Sequence, residues 1–107
     1  MGVAQSDIDA TLELFAPLGE LRTRRMMGGL CLYHRDTIFA ILRSDGQILI
    51  KGGDGFGATL EARGGTRWVY TRKTGKAGVM PYWTLPDDCL DDPDAAVALA
   101  REAFAHL

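Results

Sequence analysis

The chain has 107 residues, a formal net charge of −2 and a hydrophobic fraction of 47%. This length is typical of one domain, predicted here over residues 1–107, and it is enough to bury a core without disulfides or metals. No stretch approaches the roughly 18 apolar residues of a membrane span, and no signal-peptide pattern opens the chain. Cys31 and Cys89 lie far apart and are expected to be reduced thiols, which predicts a cytoplasmic protein.

The first predicted element is a short helix that begins near Ser6. Ser6 and Asp9 resemble a capping box. The apolar residues that follow at helical spacing are Ile8, Leu12 and Phe15. A proline and a glycine after this series end the predicted helix.

Residues 29–51 predict a three-stranded antiparallel meander. Strand-like runs at 30–34, 37–42 and 48–51 are separated by Arg35-Asp36 and by Asp45-Gly46, and Asp-Gly is a strong hairpin signal. Two-residue loops would place His34 opposite Thr37 and Ile41 opposite Ile50. One face of the sheet would then carry Leu30, Leu32, Phe39, Ile41, Ile48 and Ile50. The other face, which is also largely apolar, would carry Cys31, Tyr33, Ile38, Ala40, Leu42 and Leu49.

The remaining elements are a second helix, a second hairpin and a terminal helix. The second helix is predicted at 56–63 and the second hairpin at 67–72 and 79–85, where Pro81 indicates an edge strand or a bulge. Asp92 as N-cap and Pro93 as first residue begin an amphipathic terminal helix. The order α-β(3)-α-β(2)-α predicts an α+β fold of two layers, with helices on one face of an antiparallel five-stranded sheet.

Motifs for catalysis and metal binding are weak. Residues 53–58 match Gly-x-Gly-x-x-Ala, but no parallel βαβ unit accompanies them, so a turn is favoured over a dinucleotide site. His34, His106 and the two cysteines have no partners at the spacing of a metal site or a catalytic group. The sequence therefore predicts no enzyme, no catalytic residue, no cofactor and no metal site.

Two basic clusters are candidate contacts for a partner or for nucleic acid. The first precedes the first predicted strand and consists of Arg22, Arg24 and Arg25. The second lies at the second hairpin and consists of Arg72, Lys73 and Lys76. Aromatic residues nearby allow ring stacking beside phosphate contacts, so a weak nucleic-acid-binding module is the alternative function. A pI near 5.6 speaks against it, because dedicated nucleic-acid-binding domains are usually strongly basic.

Several segments resemble a known family, in the order in which that family has them. They are Phe15-Ala16-Pro17-Leu18-Gly19, Arg24-Arg25-Met26-Met27-Gly28-Gly29, Phe39-Ala40, Leu49-Ile50-Lys51, Tyr70-Thr71-Arg72-Lys73 and Leu90-Asp91-Asp92-Pro93. The chain resembles the TfoX/Sxy N-terminal domain over about residues 9–107. The resemblance implies the same α-β(3)-α-β(2)-α fold, no known catalytic residue and no cofactor. Full-length competence regulators of the family act with the cyclic-AMP receptor protein and carry a C-terminal helical domain. This chain departs from them and is expected to be a stand-alone member without that domain.

The predicted function is that of a small cytoplasmic bacterial binding or regulatory module that acts through protein contacts. The second face of the meander supports this prediction, because monomers rarely expose contiguous apolar patches of more than a few hundred Å². A homodimer or another protein partner is expected to cover that face. The alternative is that the twisted sheet curls and that the second hairpin or a terminus shields part of the face.

Overall fold

Four helices and a six-stranded sheet form two layers in the computed structural model, which describes residues 2–26, 28–71 and 73–107. The helices are α1 (Gln5–Phe15), α2 (Phe56–Ala62), α3 (Asp87–Leu90) and α4 (Pro93–Phe104), with a 3₁₀ turn at Ala16–Leu18 after α1. The strands are β1 (Leu21–Met26), β2 (Gly29–His34), β3 (Thr37–Leu42), β4 (Ile48–Lys51), β5 (Arg67–Thr71) and β6 (Ala77–Thr84). Neighbouring strands are antiparallel in the order β1-β2-β3-β4-β6-β5, which confirms the α+β class. None of the described helices is long and apolar enough to cross a membrane.

The predicted number of five strands is wrong, because residues 21–26 form an additional edge strand. This strand, β1, pairs with β2 and places Arg24 opposite Cys31 and Met26 opposite Gly29. Its residues after Leu21 are exposed on both sides. The strand reads Leu-Arg-Thr-Arg-Arg-Met, so it lacks the alternation of apolar and polar residues that predicts a strand.

A bulge at Phe39 shifts the register between β2 and β3. His34 pairs with Thr37 as predicted, and Tyr33 pairs with Ile38. Leu32 then pairs with Ala40 instead of Phe39, so Phe39 is the extra residue of the bulge. The predicted register beyond this point is wrong by one residue.

The loop between β3 and β4 is longer than the predicted two-residue turn. The Gly46 amide donates to the Arg43 carbonyl, and the Arg43 amide donates to the Gln47 carbonyl at 2.9 Å. Gly46 has a φ of 87°, whereas Asp45 keeps a negative φ, so this is a three-residue loop with glycine in the left-handed position. Ile41 consequently faces Leu49 instead of Ile50.

These two shifts exchange three residues between the faces of the sheet. Ala40 and Leu42 are fully buried in the core beneath the helices, so their predicted place on the other face is wrong. Ile41, predicted for the helix side, lies on the face away from the helices. We call that face the open face. Cys31, Tyr33, Ile38 and Leu49 lie on it, as the alternation along the strands predicted.

The core lies between the helices and the covered face of the sheet. Phe39 packs edge-on against Phe15 of α1, with ring centroids 5.2 Å apart, and against Phe104 of α4 at 5.4 Å. Asp92 caps α4 by accepting a hydrogen bond from the Ala95 amide at 3.2 Å, as predicted. The capping box predicted for α1 is not formed, because α1 begins after Ala4 without a side-chain cap.

Close packing explains two glycines in and beside the segment that matches the dinucleotide pattern, Gly57 and Gly52. A Cβ atom at Gly57 would lie 2.3 Å from the indole of Trp83, and one at Gly52 would lie 2.6 Å from it. The indole Nε1 donates to Glu61 Oε2 at 2.7 Å. The segment therefore makes room for a large core side chain at the start of α2.

The second hairpin continues beyond the sheet as an arm. β6 lies between β4 and β5, so Pro81 is not on an edge strand, but the predicted bulge is present as a register shift. Val69 faces Val79 in the outer part, where their exposed fractions are 58% and 54%. This outer part pairs only β5 with β6 among the described residues.

Candidate binding face

A groove with a volume of about 490 Å³ runs along the open face. Its apolar lining consists of Met26, Cys31, Ile38, Ile41, Trp68, Met80 and Tyr82. Met26 belongs to β1 and Trp68 to β5, the two edge strands of the sheet. Both edges line one groove because the sheet twists and curls around it. The second hairpin therefore shields part of the open face, which was the alternative expected for this surface.

At one end of the groove lies an arginine held between a ring and a carboxylate. The Arg43 guanidinium lies 5.5 Å from the centroid of the Trp68 ring, within the range of a cation–π contact. It also donates to both oxygens of Asp45, at 3.2 and 2.8 Å. The hydrogen bond from Arg43 lowers the pKa of the Asp45 carboxyl below its ordinary value. The two opposite charges compensate each other, so this end of the groove is close to neutral.

Tyr82 forms a wall of the groove and brings a hydroxyl group to it. Only 5% of the residue is exposed, and Cys31 of β2 lines the same groove. Burial, together with the electrostatic effect of Cys31 and Tyr33, raises the pKa of Tyr82 to about 12. Among the described residues no hydrogen bond holds this hydroxyl, and none of their fully buried polar side-chain atoms lacks a partner. The hydroxyl is therefore open to the groove as a neutral hydrogen-bonding group.

The thiol of Cys31 is part of the groove wall. Burial raises the pKa of Cys31 above its ordinary value, and nearby Arg24 offsets this only in part. Burial also raises the pKa of Cys89, which lies on the helix side of the sheet. Both thiols are protonated near neutral pH and so are poor nucleophiles. Apart from the ion pair of Arg43 and Asp45, the groove is thus lined by apolar and neutral groups.

Three arginines surround Tyr33 beside the groove, and we call Arg22, Arg24 and Arg35 the arginine patch. They line a second hollow of about 240 Å³ on the open face. Arg22 pairs with Asp36 at 2.9 Å, and Arg35 pairs with Glu20. Among the ion pairs of the described residues none involves Arg24. The patch therefore carries a net positive charge.

The two predicted basic clusters lie on different elements, β1 and the turn between β5 and β6. Arg25 alternates with Arg24 along β1 and so points away from the open face. Lys73 and Lys76 are exposed in the turn between β5 and β6, at the opposite edge of the sheet from β1. Arg72 lies outside the described residues.

Several residues of the groove were not predicted from the sequence. Met26 was not assigned to this face because β1 was not predicted. Met80 was not assigned because it lies next to the bulge at Pro81. Ile41 was assigned to the wrong face because of the bulge in β3. No sequence pattern pointed to Arg43 as a groove residue, apart from its position close to the Asp-Gly turn.

The two histidines take part in structural contacts. His34 Nδ1 lies 2.8 Å from the Gly19 carbonyl oxygen, and the His106 ring stacks on Phe56 at 4.8 Å. Within the ranges that the structure describes, no three potential ligands from His, Cys, Asp and Glu are grouped as a metal site would need.

Fold and groove together define a class of small α+β domains in which helices cover one face of the sheet and leave a groove on the other. The TfoX N-terminal domain family matches residues 13–107, and the chain belongs to this family. It is similar to the DNA transformation protein TfoX1 of Aliivibrio fischeri (strain ATCC 700601 / ES114), with 29% identity over 89 residues. The aligned region covers 83% of this chain and 42% of that relative, so the chain spans less than half the length of the relative. The predicted family is thereby confirmed.

Proposed function

We propose that this domain is a regulatory binding module that contacts a protein partner through its open face. The observation that carries the proposal is the groove, an apolar depression of about 490 Å³ at the surface of the sheet. Protein interfaces typically place buried apolar or aromatic anchors in such depressions. A partner side chain that fills the groove removes apolar surface from water at about 25 cal/mol per Å² before the costs of association are subtracted.

The chemistry of the lining supports binding over catalysis. Cys31 and Tyr82 are the groups of the groove with raised pKa values, and both are uncharged at neutral pH. Asp45, whose pKa is lowered, is already engaged by Arg43. Neither a free base nor an ionised nucleophile follows from these values, so the proposed role is not enzymatic.

The family supports a regulatory role. The relative in Aliivibrio fischeri is named a DNA transformation protein. For this chain we propose a cytoplasmic role in transcription regulation of the same kind, with a transcription factor such as the cyclic-AMP receptor protein as the partner class that the resemblance implies.

A second copy of this chain is another proposed partner for the open face. Trp68, Met80 and Tyr82 already cover part of the face, which leaves a smaller area for self-association. Light scattering at micromolar concentration tests the dimer. A monomer of 11.7 kDa whose mass and solubility are unchanged by Ile38→Glu would exclude the dimer.

Site-specific photo-crosslinking in cells tests the proposed function. Benzoylphenylalanine replaces half-buried Tyr33 at the open face in one variant and exposed Ala98 of α4 in a matched control. We expect a discrete crosslinked adduct from position 33, identified by mass spectrometry, and none from position 98. Adducts of equal yield from both positions, or none from position 33, would contradict the proposal.

A further inference from the structure

We infer that the partner presents an acidic segment with one large apolar side chain, which enters the groove while carboxylates meet the arginine patch. This inference rests on the proposed function and adds the chemistry of the partner to it. It follows from the position, the charge and the lining of two adjoining hollows.

The groove and the arginine patch are neighbours on one face. Cys31 lines the groove, and Tyr33, two residues further along β2, lines the hollow of the patch. Arg24 lies opposite Cys31 in the pairing with β1, and Arg22 lies opposite Tyr33. Residues two apart in a strand are separated by about 6.6 Å, so one short extended segment reaches both hollows.

The charge of the patch favours carboxylates. The hollow of the arginine patch is lined by three arginines and by one carboxylate, that of Asp36. Arg24 belongs to no ion pair among residues 2–26, 28–71 and 73–107. A guanidinium group binds a carboxylate with two parallel hydrogen bonds, which gives orientation as well as attraction.

The lining of the groove favours an apolar side chain of variable shape. Met26 and Met80 contribute flexible, polarisable thioethers, and Ile38 and Ile41 contribute aliphatic surface. The Tyr82 hydroxyl adds one hydrogen-bonding group that a polar atom of the segment can engage.

A protein segment fits these hollows better than a nucleic acid does. The chain carries a net charge of −2, and Lys73 and Lys76 line neither of the two hollows. Nucleic-acid surfaces combine a continuous basic track with exposed rings for stacking. Here Tyr82 is nearly buried, so its ring offers little face to a base.

Selection from a random dodecapeptide library displayed on phage tests the inference. The immobilised protein selects peptides, and each selected peptide is then titrated by fluorescence anisotropy against the wild type, Arg24→Glu, Ile41→Glu and the control Ala98→Glu. We expect selected peptides to share a large apolar residue within two or three positions of Asp or Glu. We expect Ile41→Glu to abolish binding, Arg24→Glu to weaken it at least fivefold, and Ala98→Glu to leave it unchanged. Circular dichroism confirms that each variant is folded.

A charge-reversal rescue makes the test specific for the patch. Replacing the acidic residues of a selected peptide by lysine is expected to weaken binding to the wild type and to restore it for Arg24→Glu. Steric damage from the Arg24 substitution would not produce this rescue.

The remaining outcomes separate the inference from the proposed function. Selected peptides that need Ile41 but are not acidic would overturn the inference and leave the proposed function standing. Peptides that bind Ile41→Glu normally, or the absence of any selected peptide, would count against both. Binding of a single-stranded 20-nucleotide DNA that depends on both Arg24 and Ile41 would overturn the inference and identify a nucleic acid as the ligand of both hollows.

Discussion

At the scale of single residues, burial decides what the side chains of the groove can do. The ordinary pKa of tyrosine is 10, and burial raises that of Tyr82 to about 12. Burial likewise raises the pKa of Cys31. Removing a group from water disfavours its charged form, so the thiol and the phenol are uncharged hydrogen-bonding groups at neutral pH.

Tyr82 makes stability fall with rising pH at the alkaline end. Between pH 10 and pH 12 the unfolded chain loses the Tyr82 proton while the folded protein retains it. Because the unfolded state then binds fewer protons, the free energy of unfolding decreases as pH rises through this window. We expect urea unfolding at pH 9.5, 10.5 and 11.5 to show a steeper decrease for the wild type than for Tyr82→Phe. Equal slopes would show that the buried hydroxyl is not the cause.

Gly57 is required by its contact with Trp83. In Gly57→Ala the added methyl group meets the indole 2.3 Å away, and we expect a loss of about 1–3 kcal/mol in the free energy of unfolding. The phenyl ring of Trp83→Phe lacks the outer edge of the indole. In that background we expect Gly57→Ala to stabilise α2 by up to about 1 kcal/mol, the gain of alanine over glycine in a helix. Urea unfolding of the four proteins measures both effects, and the same sign in both backgrounds would disprove the contact.

At the scale of elements, the bulge in β3 determines which residues form the open face. Residues 37–42 are largely apolar, so either register buries apolar side chains and the sequence alone does not distinguish them. Phe39 and Ala40 both point into the core at the bulge, and Ile41 and Leu42 after them lie on the faces opposite to those predicted.

Two neighbouring substitutions test this arrangement. Leu42→Glu places a carboxylate in the fully buried core, and we expect it to lower the free energy of unfolding by more than about 3 kcal/mol. Ile41→Glu places the same group on the half-exposed open face, where we expect a loss of about 1 kcal/mol. Urea denaturation with near-ultraviolet circular dichroism compares them. The reverse ranking is what the unbulged register requires and would contradict the structure.

Elements with a strong local pattern were predicted from the sequence. The terminal helix has a capping aspartate, a first-turn proline and a regular apolar stripe, and it lies where these signals place it. β1 has none of these signals, since it is held by pairing with β2, a contact between residues that the local pattern does not encode. The open face was predicted in part, through Cys31, Tyr33 and Ile38. The place of Ile41 on the open face depends on the bulge. The residues of the second hairpin line the same groove because the sheet curls.

At the scale of the whole molecule, the two faces of the sheet differ in how they are covered. Phe15, Leu60 and Leu99 of three helices bury the covered face and stabilise the fold. The open face keeps a groove beside an arginine patch, and the second hairpin narrows that groove without closing it. The proposed binding surface thus lies on a scaffold whose stability comes from the other side.

The five isoleucines of the chain allow this division to be observed directly. Ile38 and Ile41 line the groove, whereas Ile8, Ile48 and Ile50 belong to the core on the helix side or pack against it. The measurement is a methyl NMR titration of isoleucine-labelled protein with the partner captured from position 33. We expect the signals of Ile38 and Ile41 to shift in a saturable way while the other three stay in place. Shifts confined to the three core-side isoleucines, with Ile38 and Ile41 unmoved, would contradict binding at the open face.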